Sequence, residues 1–491
     1  MLFNSYEFIF LFLPVTVIVY FFLNKKRMII ASNVWLLLAS FFFYSWWNIR
    51  FLPLLCGSIL FNYAIGSFLL RNDSFKRIFF AKKTVFVTGI AGNILLLIYF
   101  KYMNFFISNI NAIFAVDNKL LYIVFPLGIS FFTITQIIFL IDSYDGNFKK
   151  YNLLNYALFI CFFPCLFAGP ILNHREIIPQ FESLRKKIIN YKSLSLGILL
   201  FSIGLFKKVV IADSLGKWAN IGFDTAATLN LFEAWITSLS YTFQLYFDFS
   251  GYSEMAIGLG LMFNIKLPVN FNSPFKAVSI IDFWKRWHIT LTNFIMNYIY
   301  IPILWSFKDK NFIKSMIAIL IAMLICGLWH GAAWTFVIWG TIHGLAIIAN
   351  HCWRKSKFKM PNLLGWFITF NFVNFSMVIF RAKEWSDAVK VFKGMLGFNG
   401  VVLPEMFLSF LASLKNYGVI FYGDYLHNVR GGKATIITII LVSIIAFLFK
   451  NSMEITEKFK PDWFWAFYTG CLLLFGIIFT ANKTDFLYFQ F

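Results

Sequence analysis

Residues 316–350 read MIAILIAMLICGLWHGAAWTFVIWGTIHGLAIIAN, 35 residues without one Asp, Glu, Lys or Arg. Two apolar runs, each about the length that crosses a hydrocarbon core of ~30 Å, are joined by His330 and Gly331-Ala332-Ala333. An ionisable side chain in lipid is costly, so one placed here faces the interior of a helix bundle. Two readings of His330 stand side by side: a functional polar centre, or a packed, hydrogen-bonded histidine at a helix turn.

The same grammar extends along the chain. Further apolar runs at 8–23, 28–46, 52–70, 85–100, 120–141, 153–172, 194–213, 232–247, 363–380, 434–449 and 463–480 join 315–330 and 333–350 as expected spans. Of the 491 residues 60% are hydrophobic and 13% charged, against about 25% charged in soluble domains. So few charges cannot cover a water-facing surface, and the expectation is an all-α polytopic integral membrane protein forming a single domain over 1–491. The net charge of +21 sits in short basic clusters between apolar runs, the pattern of membrane orientation and anionic-lipid contact rather than of nucleic-acid binding. Six cysteines form no CxxC pair, which argues against a zinc site or a disulfide framework. Lys25, Lys26 and Arg27 follow the first apolar run instead of preceding it. That order reads as a retained span with its N-terminus outside the cytoplasm rather than a cleaved leader.

Basic clusters place alternate loops inside for five spans, through Lys149 and Lys150. The alternation then breaks. Residues 161–170, CFFPCLFAGP, carry two prolines and a glycine and are followed by Arg175 and Arg185-Lys186-Lys187. A broken or re-entrant helix resolves the parity, and such backbone survives in a membrane only when buried in protein or lining a cavity. Lys207 and Lys208, inside another apolar run, suggest further irregular geometry. Residues 266–314 mix charge with aromatics as an interfacial helix does, and 381–433 reads as a polar loop or small surface helices.

Of the six histidines, His288 follows Lys285, Arg286 and Trp287 and on composition alone reads first as an interfacial aromatic-basic anchor and second as a functional residue. His343 reads as close helix packing, His351 as a cytoplasmic end, His427 as a loop residue, and His174 as a flank of the broken segment. Asp248, in the aromatic run 244–254, needs a partner or water. Walker, GxGxxG and GxSxG patterns are missing, as is a spaced set of metal ligands. A histidine in a hydrophobic passage with none of these suits acyl transfer. A neutral imidazole takes the proton of an attacking hydroxyl or returns one to a thiolate, and a water-poor site limits hydrolysis of a thioester.

At these residues the chain resembles the membrane-bound O-acyltransferase family, in its bacterial branch of alginate and peptidoglycan O-acetyltransferase membrane subunits. The resemblance is carried by Gln244–Gly260 (QLYFDFSGYSEMAIGLG), Asp282–Leu291 (DFWKRWHITL), Gly327–Gly331 (GLWHG), Phe125–Ser130 (FPLGIS), Phe167–Pro170 (FAGP) and Phe486–Phe491 (FLYFQF), and covers the whole chain. It implies roughly a dozen transmembrane helices plus re-entrant and interfacial helices around a central tunnel, in the inner (cytoplasmic) membrane. It puts the family's central histidine on His330 and its second on His288, both catalytic. Asp248 would support the tunnel, and Lys285 and Arg286 could meet CoA phosphates. No cofactor is implied. Acetyl-CoA is the implied donor substrate, and an extracytoplasmic hydrolase-like acetyltransferase the implied partner that esterifies a polysaccharide. The terminal FLYFQF resembles an aromatic motif of the teichoic-acid D-alanylation system, which makes Tyr488 either a transient acyl carrier or an aromatic-belt anchor. A transporter or flippase for a lipid-linked sugar is the rival reading; it would use the broken helices and Asp248 but leaves WHG and its companion motifs without a purpose.

Overall fold

The computed structural model describes residues 1–71, 76–146, 148, 150–356, 358–481 and 486–487, with the backbone alone for 76–80. The described secondary structure is helical apart from two three-residue strands, Val402–Pro404 and Ile420–Tyr422, which pair in parallel with Val402 opposite Ile420. Among the described residues, seven helical stretches are long and apolar enough to cross a membrane: Phe8–Lys25, Ile49–Leu69, Ala81–Phe114, Tyr191–Thr225, Phe312–His330, Trp334–Lys355 and Asn362–Arg381. Ile29–Ser45, Lys433–Leu448 and Trp463–Phe479 are apolar but shorter.

Three expected spans take another form. The run 120–141 is helical only from Ile129, behind an irregular approach. The run 232–247 is the first half of a 32-residue helix, Leu231–Met262. The run 153–172 is a helix only to Cys161, after which residues 162–172 are irregular and buried throughout. This is the broken segment that the two prolines and the charge parity predict. Several helices also contain a wider π turn, among them Lys207–Ala212 and Ile295–Tyr300.

The chain forms two compact units. One comprises residues 1–206, 252–269 and 456–491. Its apolar centre is a stack of rings in which Phe3 lies against Phe8, Phe43 and Tyr252 at centroid distances of 5.0, 5.6 and 4.9 Å. The buried irregular segment closes on this centre through Phe163 and Phe167, both against Phe43. Two quoted motifs meet here: Gly128 of FPLGIS has φ 76°, and a Cβ on it would lie 2.5 Å from Leu166 O beside FAGP. Only glycine allows that conformation and that approach together. Polar residues link the helices instead of facing lipid, with Asn62 Nδ2 donating to Gln136 Oε1 at 2.9 Å and Ser58 Oγ to the same atom at 2.8 Å. His174, next to the broken segment, is buried and paired with Asp142 at 2.9 Å, with Tyr151 OH 3.2 Å from its other ring nitrogen.

The second unit comprises residues 207–251 and 270–455. Its centre is the antiparallel hairpin of Phe312–His330 and Trp334–Lys355. Gly327 and Gly340 let the two backbones touch, since a Cβ on Gly327 would overlap Phe336 O and one on Gly340 would overlap Met323 O. The polar stretch 381–433 holds a helix, Trp385–Met395, opened by reciprocal capping between Glu384 and Asp387. It is fastened to the start of the Leu231 helix by buried Glu233, which accepts from Asn428 N at 2.8 Å and Asn230 N at 2.9 Å.

Candidate active site

His330 is the last residue of its helix and lies at the hairpin's tip, 5% exposed. Aromatic edges surround the imidazole: Trp329 at 4.9 Å, Trp339 at 5.2 Å and Phe380 at 5.2 Å between centroids. Trp339 is buried, and its indole Nε1–H has no acceptor among the described residues within hydrogen-bond distance. A buried donor without a partner is costly, and here it stands beside the histidine that the sequence singled out.

His288 reaches the same place from the opposite direction in sequence. Its ring lies 6.2 Å from Trp329 and 4.7 Å from Phe249, so both histidines have Trp329 as a neighbour. Sequence leaves His288 open between anchor and function; the fold buries it completely, which removes the interfacial-anchor reading. Its backbone is left-handed, φ 43°, a conformation that costs a side-chain-bearing residue about 1–3 kcal/mol and needs outside support. Asn270 supplies that support. Its backbone O accepts from Ile289 N at 2.9 Å, and its Oδ1 accepts from Thr290 N at 3.2 Å and Thr290 Oγ1 at 2.7 Å. The same Oδ1 lies 3.3 Å from His288 Nδ1. An oxygen already accepting from a backbone N–H makes Nδ1 the protonated nitrogen, so Nε2 is the basic nitrogen of the neutral ring. Burial holds the imidazole's pKa well below the usual histidine range, which favours that neutral form.

Asp248 is paired with Lys208 at 2.7 Å, and Lys208 Nζ also meets Asp213 at 2.8 Å. The irregular geometry expected at Lys207-Lys208 is the reason. In an α-helix residues five apart point about 140° away from each other, whereas the wider winding of a π turn brings i and i+5 onto much the same side. The Lys207–Ala212 π turn thus lets one lysine bridge Asp213 of its own segment and Asp248 of the Leu231 helix. Lys285 and Arg286 diverge. Arg286 is bound to Asp282 at 2.8 Å and to Asn272 O, while exposed Lys285 lines an apolar cavity of about 240 Å³ with Trp284, Cys326 and His351. Cys326 stands one helical turn before His330. His343, read from sequence as packing, accepts from Trp284 Nε1–H at 3.3 Å and donates through Nε2 to Ser376 Oγ at 3.0 Å. Tyr488 lies outside the described residues.

Sequence reasoning did not point to Asn270, Trp339 or the Lys208–Asp213 contact. Asn270 gave no signal, sitting in a plain stretch 18 residues before the histidine that it holds. Trp339, one of 16 tryptophans, could have been suspected only from lying one helical turn from His343.

The chain belongs to the membrane-bound O-acyltransferase family: the family's profile matches residues 93–382, which include both histidines and the Lys208–Asp248 pair. It is accordingly an acyltransferase embedded in a membrane by many helices. It is 43% identical to the peptidoglycan O-acetyltransferase of Helicobacter pylori, over 100% of this chain and 98% of that protein. It is 37% identical to the probable alginate O-acetylase AlgI of Pseudomonas aeruginosa, over 84% and 78% respectively. The teichoic acid D-alanyltransferase of Bacillus subtilis is 29% identical over 53% of this chain and 69% of its own length.

Proposed function

We propose that this protein O-acetylates a polysaccharide of the cell envelope, drawing acetyl from cytoplasmic acetyl-CoA and passing it across the inner membrane, with His330 managing the proton. The observation that carries the reading is a buried histidine in an aromatic enclosure, at the tip of a membrane-length hairpin, with a second buried histidine also beside Trp329. The basic residues Lys310, Lys314, Arg354 and Lys355 gather at the hairpin's opposite end. By the charge rule of membrane topology that end faces the cytoplasm, which directs His330 away from the compartment of the donor.

At the reacting centre, the His330 imidazole removes the proton of the attacking hydroxyl as its oxygen bonds to the acetyl carbon. The Trp339 N–H meets the negative charge that gathers on the carbonyl oxygen. Collapse breaks the carbon–sulfur bond, and the imidazolium returns its proton to the departing thiolate. His288, with Nε2 as its basic nitrogen, orients the acyl group or the acceptor. The cavity beside Cys326 gives the acyl arm an approach, and Lys285 at its wall can meet an anionic group of the donor. The apolar enclosure keeps water from the thioester. An extracytoplasmic acetyltransferase completes the transfer to sugar hydroxyls, and Tyr488 is a candidate carrier on the way.

The test is ester-linked acetate on isolated cell-wall and secreted polysaccharide fractions, compared between wild type, a deletion and His330→Ala at matched expression. Loss from one fraction in both mutants supports the reading and names the acceptor; unchanged acetate in every fraction overturns it. Release of CoA thiol in membranes that retain the partner separates an enzyme from a flippase. A Tyr488→Phe protein with full acetylation would remove the carrier role alone.

A further inference from the structure

Away from the histidines, the first unit carries a groove of about 1080 Å³ between the end of the Leu13–Lys25 helix and residues 184–194. Its polar end is basic, lined by Lys25, Arg27 and Lys187, with no Asp or Glu among the lining residues. Its walls are apolar. Ile18 and Ile188 are 66% and 71% exposed, Phe22 lies between the basic end and Ile18 in sequence, and all three line the groove.

Lys187 makes this more than a basic surface. Its side chain is buried, 6% exposed, and its Nζ is held by neutral groups, Tyr20 OH at 3.2 Å and Asn33 Oδ1. No carboxylate among the described residues lies within ion-pair distance of it. Next to it, Asn24 Oδ1 accepts from Ser32 Oγ at 2.7 Å, and its side chain lies against Tyr20. A buried cation kept charged without a counter-ion is costly, and burial draws Lys187 down to about 8. A bound anion would reverse that shift. The cation thus calls for an acceptor carrying negative charge, which its neutral partners do not supply.

A free inorganic anion would answer that demand but leave the apolar walls uncovered. A ligand with a phosphate at one end and hydrocarbon at the other covers both. The clusters Lys25-Lys26-Arg27 and Arg185-Lys186-Lys187 place this end of the unit at the cytoplasmic leaflet, where anionic headgroups attract basic side chains. We propose that the groove binds an anionic glycerophospholipid, its phosphate on Lys25, Arg27 and Lys187 and an acyl chain along Ile18, Phe22 and Ile188. The site is separate from the acyl-transfer chemistry and does not depend on it.

The test is native mass spectrometry of the full-length protein in detergent, titrated with phosphatidylglycerol or phosphatidylcholine. Lys25 and Arg27 are exposed, so Lys25→Gln/Arg27→Gln removes two charges without touching the buried Lys187 cluster. Lys308→Gln/Lys310→Gln, an equal loss of charge on another loop, is the control. The expected result is a retained phosphatidylglycerol bound about thirtyfold more weakly by the first variant and unchanged in the control. Equal binding of the two lipids, a loss under fivefold in the Lys25/Arg27 variant, or the same loss in the control would overturn the proposal. So would displacement of the lipid by inorganic phosphate or by acetyl-CoA, either of which would give the groove to a soluble ligand.

Discussion

Replacing Lys208 by methionine keeps the length and the apolar stem of the side chain but withdraws a cation shared by two carboxylates. Lys208 and Asp248 are each 1% exposed along their side chains and Asp213 is 13% exposed. After the change Asp248 is left with its charge in the interior. Breaking a buried ion pair in this way costs about 3–5 kcal/mol. Asp248→Asn attacks the same pair from the other side with a different result. Lys208 keeps Asp213 at 2.8 Å, and the neutral amide needs no counter-ion, so the cost falls to about 1–2 kcal/mol. Lys208→Met/Asp248→Leu removes both buried charges, leaves Asp213 its partial access to water, and is expected to be more stable than Lys208→Met alone. Unfolding followed by tryptophan fluorescence, in one detergent at one lipid content, orders the three proteins. If Asp248→Asn were as damaging as Lys208→Met, or the double variant no better than the lysine variant, the shared-cation account would be wrong.

Trp339→Phe preserves the ring beside His330 and deletes the N–H; acetyl transfer is expected to fall about a hundredfold with little change in the unfolding midpoint, and full activity would remove Trp339 from the chemistry. Gly327→Ala pushes a methyl group into Phe336 O and should cost about 1–3 kcal/mol by separating the hairpin's strands of backbone, read as a lowered unfolding midpoint. His288 stays neutral in the folded protein because burial lowers its pKa, while in the unfolded chain it takes up a proton below pH ~6.5. The unfolded state then binds more protons, so stability is lost as pH falls through that value; a His288→Gln protein with the same acid sensitivity would refute the assignment.

Most of the helical framework is legible as apolar runs because lipid imposes one simple demand on sequence: an uncharged stretch of sufficient length. The same demand exposes the break at 161–170, where proline and charge parity disagree with a straight crossing. Length alone misleads where apolar residues serve protein instead of lipid. The run 153–172 is hydrophobic because it is buried in the unit's interior from residue 155 onward, and its irregular portion satisfies no helical period, while the run 120–141 is buried only from about residue 126 and begins in an exposed, non-helical stretch. His330 is visible for the opposite reason, as a polar residue amid uncharged ones. What holds the site is harder to read. Asn270 and His288 are joined by a long-range hydrogen bond, and the partner of Asp248 depends on a local winding of the helix at Lys208. Neither has a periodic signature.

The π turn at Lys207–Ala212 also fixes how long the chain must be at that point. A π turn holds nearly one residue more than an α turn, so the same six residues wound as ordinary α-helix would carry the chain further around the axis. Lys208 would then swing about a quarter-turn or more around the axis relative to Asp213. Composition and hydropathy would hardly change, yet the buried cation would lose its bridge. A related chain that lacks the π turn should therefore be one residue shorter here, with its lysine and aspartate four apart on one face, which makes the constraint one of counting rather than of chemistry.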